Sequence, residues 1–427
     1  MIQLAMDTLS LGKLGITKGG LEWALARRLG YSAPLIGIKE IDDIQLTKFH
    51  ESEITRLYKF SAAYTTRDGS PKDYLGVLKQ YKQEYRSWRR KSRDEAILLR
   101  FYERFSDSRN FPLLLLKLPR RNFLIRDYIP GMTYDKVNYN FFNKINDVEY
   151  ELQAATDQRG EERLLRKKAI LEKNQYLFLD LIMGALAQVH YIGTSNLDFL
   201  RRKIKLPGYR VRSPGINYYR SEFIDHVISL FGVEYTEDPK KRNDLEIRLA
   251  RIFNLSRAPR YLEKQNDLIL GDAHPKNIII SSVNGSDDIY DIYDDPSLEN
   301  KIVSLKQRLF FTDVGKGKVG AAASDLVDLL NYPMVSPDWV VIRRALKRYV
   351  DERTMMEGRV ASASDLDSLL DGHHFLTIFK APHASIVDNA NKKHYIRLLG
   401  EELEIDSNMD ELKIILAPLL KRNRNSD

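Results

Sequence analysis

The period of apolar positions changes several times along the chain, and each change predicts an element. Between Thr17 and Gly30, Leu21, Ala24, Leu25 and Leu29 follow the spacing of one helix face, with Thr17 as N-cap and Gly30 as the stop. Residues 44–49, 56–64 and 74–79 are rich in β-formers and predict three strands; Arg67-Asp68-Gly69-Ser70-Pro71 makes the turn between the last two. Residues 113–116 and 123–129 predict two more strands, ending at the turn Pro130-Gly131. Residues from about 135 to 175 are polar and charged and read as solvated helix. Leu177, Leu181, Ile182, Ala185, Leu186 and Val189 then recur at three and four, a buried helix ending at His190. Residues 206–264 read as mostly helical and aromatic, and helices around 339–350 and 412–417 finish the chain.

Composition adds bounds. With 427 residues, 43% hydrophobic and 30% charged, the chain has an ordinary globular make-up and room for two or three domains. There is no cysteine, which excludes disulfides, thiolate metal sites and a thiol nucleophile. The start lacks a continuous apolar stretch of secretory type. The longest apolar segment, 177–192, carries Asp180 and His190 and is shorter than the ~20 residues of a membrane span. A soluble, cytoplasmic protein without a membrane span is expected. The net charge of +8 sits in short clusters: Arg86, Arg89, Arg90, Lys91 and Arg93 around Trp88, then 201–205 and 240–242. Such clusters can track nucleic acid, but they also form solvated helix faces and raise the potential around an anionic ligand. Nucleic acid is therefore not the partner expected, and the oligomeric state is left open.

The candidate chemistry lies in 268–280. Two short apolar runs, 268–270 and 278–280, bound a polar turn with Gly271, Asp272, His274, Pro275, Lys276 and Asn277, which reads as strand, loop, strand. A carboxylate and a carboxamide five positions apart match the spacing of phosphoryl-transfer loops, in which the Asp takes the acceptor's hydroxyl proton and the Asn holds magnesium. Asp and Asn are also ordinary turn formers that bond their own backbone. A second acidic element follows where Leu309-Phe310-Phe311-Thr312-Asp313-Val314-Gly315 ends an apolar strand in Asp-x-Gly.

The string Gly271-Asp272-Ala273-His274-Pro275-Lys276-Asn277 resembles the catalytic loop of the aminoglycoside phosphotransferase-like kinases, which include choline, homoserine, methylthioribose and fructosamine kinases. The family's loop usually reads His-Gly-Asp-x-His-x-x-Asn; Leu270 replaces the first His here. The resemblance spans about residues 40–335. It implies an α+β, two-lobed protein-kinase-like fold. Residues 1–130 would form an N-terminal helix and β-rich ATP-binding lobe, and 131–427 a helical lobe with catalytic loop, metal site and acceptor pocket. It further implies ATP and Mg²⁺, with Asp272 as the catalytic residue and Asn277 and Asp313 as metal ligands. Lys79 would contact the phosphates, oriented by Glu95. Phe123-Leu124-Ile125-Arg126-Asp127-Tyr128-Ile129-Pro130-Gly131 resembles the family's hinge, so Asp127, Tyr128 and Ile129 would meet adenine through their main chain. Asp325, in Ala323-Ser324-Asp325-Leu326-Val327-Asp328-Leu329, would fix the catalytic loop, and its simpler reading is a helix N-cap. His190 reads as a packing or capping residue.

One departure stands out. The first hairpin loop, His50-Glu51-Ser52-Glu53, has no glycine and two acids where backbone amides should approach phosphate; Ser52 and Thr55 are its candidate contacts. The Asp-rich stretches 287–291 and 294–296 lack calcium-loop spacing. His373, His374 and His383 have no metal-ligand spacing. The expected function is transfer of the ATP γ-phosphoryl group to a hydroxyl of a small molecule: a sugar, an amino alcohol or an aminoglycoside-like compound. A nucleotide-binding pseudoenzyme or regulatory protein, a protein kinase, and a nucleic-acid-associated protein are the alternatives.

Overall fold

Alternation decides the first half of the chain. In the strand Thr55–Thr65 the residues Tyr58, Phe60, Ala62 and Tyr64 are buried while Ser61, Ala63 and Thr65 are exposed, the period of a strand with one covered face. The computed structural model describes residues 9–28, 37–38, 44–52, 54–83, 88–106, 110–117, 122–203, 216–231, 238–256, 267–282, 292–333, 335, 339–405 and 409–424. Its chain divides into two units. One comprises Met1–Gly131 with Ser281–Asp287 and Phe310–Lys316, and the other Met132–Ile280, Asp288–Leu309 and Gly317–Asp427. The expected fold class, a β-rich N-terminal part and a mainly helical remainder, is what the elements show.

The first unit contains β1 (Leu9–Ser10), α1 (Lys18–Arg28), β2 (Gly37–Ile38), β3 (Gln45–Glu51), β4 (Thr55–Thr65), β5 (Pro71–Tyr81), α2 (Trp88–Phe105), β6 (Leu114–Lys117) and β7 (Phe123–Asp127). The strands form one sheet in the order β1-β3-β4-β5-β7-β6, with β2 also on β4. Phe60 lies opposite Gly76 in the β4–β5 ladder, and a Cβ at Gly76 would stand 2.5 Å from the Phe60 ring. That close approach requires glycine in the middle of a strand. Leu21 and Leu25 of α1 share a core with Leu46, Tyr58, Phe60, Leu78, Phe123 and Ile125. The stop expected at Gly30 lies outside the described residues. Along β5 Leu78 enters that core, so Lys79 and Tyr81 project from the opposite face.

The second unit runs through β8 (Gly131–Thr133) after its first residue, α3 (Tyr134–Ala154), α4 (Gln158–Ser195), α5 (Leu197–Lys203), α6 (Ile216–Leu230), α7 (Pro239–Leu255), β9 (Asp267–Ile269), β10 (Ile278–Ser281) up to its last residue, α8 (Ile302–Lys306) and the first residue of β11 (Leu309–Phe311), whose other two belong to the first unit. It ends with β12 (Lys318–Gly320), α9 (Ala322–Leu330), α10 (Trp339–Met356), α11 (Ala363–Val387), α12 (Lys392–Ile405) and α13 (Asp410–Arg424). Two expectations are corrected. The buried helix does not begin near residue 177, because α4 starts at Gln158, where Asp157 accepts the Gly160 amide at 2.7 Å. The stretch 135–175 is not merely solvated: Val137, Asn138, Phe141, Val148, Leu171 and Asn174 are buried, as one stripe of each helix packs inward. By length and composition α4 is also apolar enough to cross a membrane, contrary to the sequence reading, but 67% of its apolar window is buried inside the protein.

Candidate active site

In the first unit the candidate residues converge on a buried ammonium. Lys79 Nζ lies 2.8 Å from Glu95 Oε2 and 3.2 Å from Asp313 Oδ1. Glu95 comes from α2 and is fully buried, and Lys79 is 4% exposed, so neither charge exchanges its partner for water. The Tyr81 hydroxyl donates to the same Glu95 oxygen. Burial works against the Lys79 charge, yet Asp313 and Glu95 more than offset it and hold the ammonium's pKa above its ordinary value. Burial likewise opposes ionisation of Asp313, but Lys79, Arg126 and the Gly315 amide hold it below the usual carboxylate range. Among the described residues both contacts on Asp313 fall on Oδ1, and a third of its side chain reaches solvent. Arg126 also donates to the Thr312 carbonyl, tying β7 to the segment that carries Asp313.

Two of the three hinge amides have partners of their own. The Asp127 amide donates to the Leu113 carbonyl at 3.0 Å and the Tyr128 amide to the Leu75 carbonyl at 3.1 Å, so both donors serve the sheet edge. The Ile129 amide makes no hydrogen bond among the described residues. The Asp127 side chain is held by Arg28 at 3.0 and 2.6 Å, a bidentate pair joining α1 to the end of β7.

The hairpin between β3 and β4 has hydrogen bonds of its own. Ser52 Oγ accepts the amides of Ile54 and Thr55 at 3.3 and 3.0 Å, and the Ser52 amide donates to the Thr55 carbonyl at 2.8 Å. The serine and these amides close their own loop and are not held out for an anion. Glu51 does not leave a bare negative charge there: Arg56, Lys82 and Lys48 lie 2.9, 2.9 and 3.3 Å from its oxygens. Hydrogen bonding by Arg56 first, then Lys82 and Lys48, lowers its pKa to about 2. Three cations around one carboxylate leave the hairpin base positive.

In the second unit a tight loop follows β9. Gly271 takes φ +74°, a left-handed conformation that glycine adopts without strain. Asn277 Nδ2 donates to the Asp272 carbonyl at 2.9 Å and to its Oδ2 at 3.2 Å, and lies 3.3 Å from His274 Nε2. The carboxamide thus orients the carboxylate five positions before it. The loop is fixed from α9: Asp325 Oδ2 accepts the Leu270 amide at 2.7 Å, and Oδ1 the Gly271 amide at 2.8 Å. Asp325 is therefore not the N-cap, which is Ala321; its buried carboxylate caps the loop instead. His190 Nε2 lies 2.9 Å from the same Oδ2, with Tyr349 at 2.8 Å from the other ring nitrogen. Leu270 is buried and anchors through its amide, so a histidine side chain is not needed at that position.

Among solved structures, the streptomycin–ATP complex of APH(2″)-IIa is 14% identical, with a TM-score of 0.44, covering 90% of this chain and 95% of that one. ADP-bound APH(2″)-Ib, an aminoglycoside phosphotransferase, is 14% identical at TM-score 0.42 over 89% and 96%. The macrolide 2′-phosphotransferase MphH from Brachybacterium faecium is 13% identical at TM-score 0.39 over 88% and 95%. No protein-family model matches the chain, and no curated protein matches it. Similarity of this degree leaves the chemistry to be argued from the residues.

Sequence reasoning missed Tyr81, Arg126 and Arg28. Tyr81 had a signal, since it lies two positions beyond Lys79 on one strand face; the arginines had none. No group of three or more His, Asp or Glu suited to a metal occurs among the described residues. Magnesium does not need one, as it commonly takes one or two protein oxygens and the substrate's phosphates. The ionised carboxylate of Asp313 is a hard oxygen donor of the required kind, and the Asn277 carboxamide oxygen is another. His374 pairs instead with Glu402, and His373 is fully buried. Residues 287–291 lie outside the described residues. Asp295 is half-buried and pairs with Ser297 at 2.7 Å and Lys301 at 2.7 Å.

Proposed function

We propose that the protein is an ATP-dependent phosphotransferase acting on a hydroxyl of a small molecule. The observation that carries the reading is the buried Lys79 ammonium held between Glu95 and Asp313. A lysine fixed on a strand by a helix glutamate, beside an ionised aspartate, is the arrangement that positions nucleotide phosphates. Lys79 then contacts the phosphates, with Ile129 as the adenine donor and the cations around Glu51 adding positive potential. Asp313 and Asn277 hold magnesium, which when bound neutralises phosphate charge. Asp272, oriented by Asn277, accepts the proton of the acceptor hydroxyl. The acceptor oxygen bonds to the γ-phosphorus as the bond to the β-phosphate oxygen breaks, and ADP leaves.

A second reading, a nucleotide-binding protein without transfer, is favoured by the self-closed Ser52 loop, which presents few amides to phosphate. Calorimetry with ATP, with and without magnesium, combined with ATP consumption over a panel of hydroxyl compounds, separates the two. Magnesium-dependent binding with turnover supports the phosphotransferase. Binding without turnover on any acceptor favours the second reading, and no binding removes both.

A further inference from the structure

Beside the catalytic loop of the second unit stands a charged group that the proposed chemistry does not use. Lys318 opens β12 and lies opposite Ile269 of β9, the strand that runs directly into Gly271 and Asp272. Cross-strand partners share a face. Two residues along that face, a Cβ at Gly320 would lie 3.6 Å from the Tyr219 hydroxyl, so α6 lies over the strand pair.

The charges of this neighbourhood can be followed one by one. Asp325 is occupied by two loop amides and His190. Asp328 is taken by Lys380 at 2.7 Å, and Lys380 also donates to the Ser324 carbonyl at 2.8 Å. Glu222 of α6 acts on Lys318 through space and has further interactions of its own. The Lys318 ammonium makes no hydrogen bond and no ion pair among the described residues, although the residue is half-buried. Burial, followed by repulsion from Lys380, lowers its pKa, and Glu222, Asp328 and Asp325 offset this only in part. Asp325 and Asp328 are committed, which leaves Lys318 as an ammonium next to the loop with no carboxylate at ion-pair distance among the described residues.

We propose that Lys318 receives an anionic substituent, a carboxylate or a phosphate, of the hydroxyl compound that Asp272 deprotonates. The inference rests on the phosphotransferase reading and narrows its acceptor to anionic hydroxyl compounds, away from polycationic ones. The unpaired Lys318 ammonium itself disfavours an acceptor amine by like charge.

Two measurements test this. In the first, the full-length protein is treated with limiting acetic anhydride, and acetylation of Lys318 is quantified by mass spectrometry. Glycerate, glucose 6-phosphate, glycerol, glucose and glucosamine are compared at matched ionic strength. Protection by glycerate or by glucose 6-phosphate alone is the expected result and distinguishes carboxylate from phosphate. Equal protection by all five, or by none, overturns the proposal. In the second, Lys318→Met raises the KM of an anionic acceptor by about 10²-fold, with the KM for ATP unchanged, and Lys318→Arg restores most of the loss. An unchanged acceptor KM in Lys318→Met, or turnover confined to neutral or cationic acceptors, overturns it. Selective protection without magnesium-dependent ATP binding would keep the anion site and remove the phosphotransferase reading, so the two failures are distinct.

Discussion

Lys79 and Glu95 meet at 2.8 Å with 4% and 0% of their side chains exposed, one on a strand and the other on the helix that follows it. The pair is inseparable from Asp313, which lies 3.2 Å from the same ammonium. Removing the lysine strands the fully buried Glu95 and takes from Asp313 the cation they share.

Lys79→Ala is therefore expected to abolish transfer and also to destabilise the protein by about 3–5 kcal/mol, the usual effect of breaking a buried ion pair. Denaturant unfolding measures the second effect. The double variant Lys79→Met with Glu95→Gln should recover much of the stability, because fewer charges are stranded, but not nucleotide binding. A double variant that binds ATP like the parent would show that Lys79 has no role in holding phosphates.

The two aspartates should behave differently. Asp313→Ala should lose magnesium-dependent ATP binding in calorimetry and transfer together. Asp272→Asn should keep ATP affinity within a few-fold while the transfer rate drops by about 10²–10⁴, the worth of a positioned general base. Near-parental turnover of Asp272→Asn on an identified acceptor would make Asp272 a turn residue only.

Asp325 accepts from the Leu270 and Gly271 amides and from His190, with no part of its side chain exposed. Asp325→Ala should cost about 3–5 kcal/mol, because it strands buried donors. Amide exchange at Leu270 and Gly271 should accelerate well beyond the global change. Unaltered exchange there would show that the loop is held by something else.

His373 is fully buried, and neither ring nitrogen has a hydrogen-bond partner among the described residues. Burial, with a smaller contribution from His374, lowers its pKa from 6.5 to about 3. Between those values the unfolded chain carries a proton that the folded ring refuses, so stability falls as pH drops through that window. The slope from this residue is at most about 1.4 kcal/mol per pH unit. His373→Phe should remove it, read as the difference between the two proteins' unfolding midpoints from about pH 6.5 to 5, above the main carboxylate titrations. Parallel profiles would contradict the assignment.

Local signals in the sequence carried the elements and most of the site. Alternation in 56–64 determines which face of that strand is covered; 74–79 is buried at nearly every position, and it is the two-residue strand period counted from Leu78 that puts Lys79 and Tyr81 on the side away from Phe60 and Leu78. Gly271 with Asp272 and Asn277 five positions on determines a turn in which a carboxamide can reach a carboxylate, because the geometry closes within one loop. The tertiary structure decided how those groups are fixed and how many donors remain. Asp325 reaches back 55 positions to Leu270, Arg126 reaches 186 positions to Thr312, and Arg28 reaches 99 positions to Asp127. Nothing in a local period encodes such pairs. The hinge amides of Asp127 and Tyr128 and the hydroxyl of Ser52 looked available in the sequence but are consumed by partners that only packing supplies. The reason is physical: periodicity and turn chemistry are properties of a few consecutive residues, whereas the satisfaction of a buried polar group depends on whichever distant element the fold brings against it.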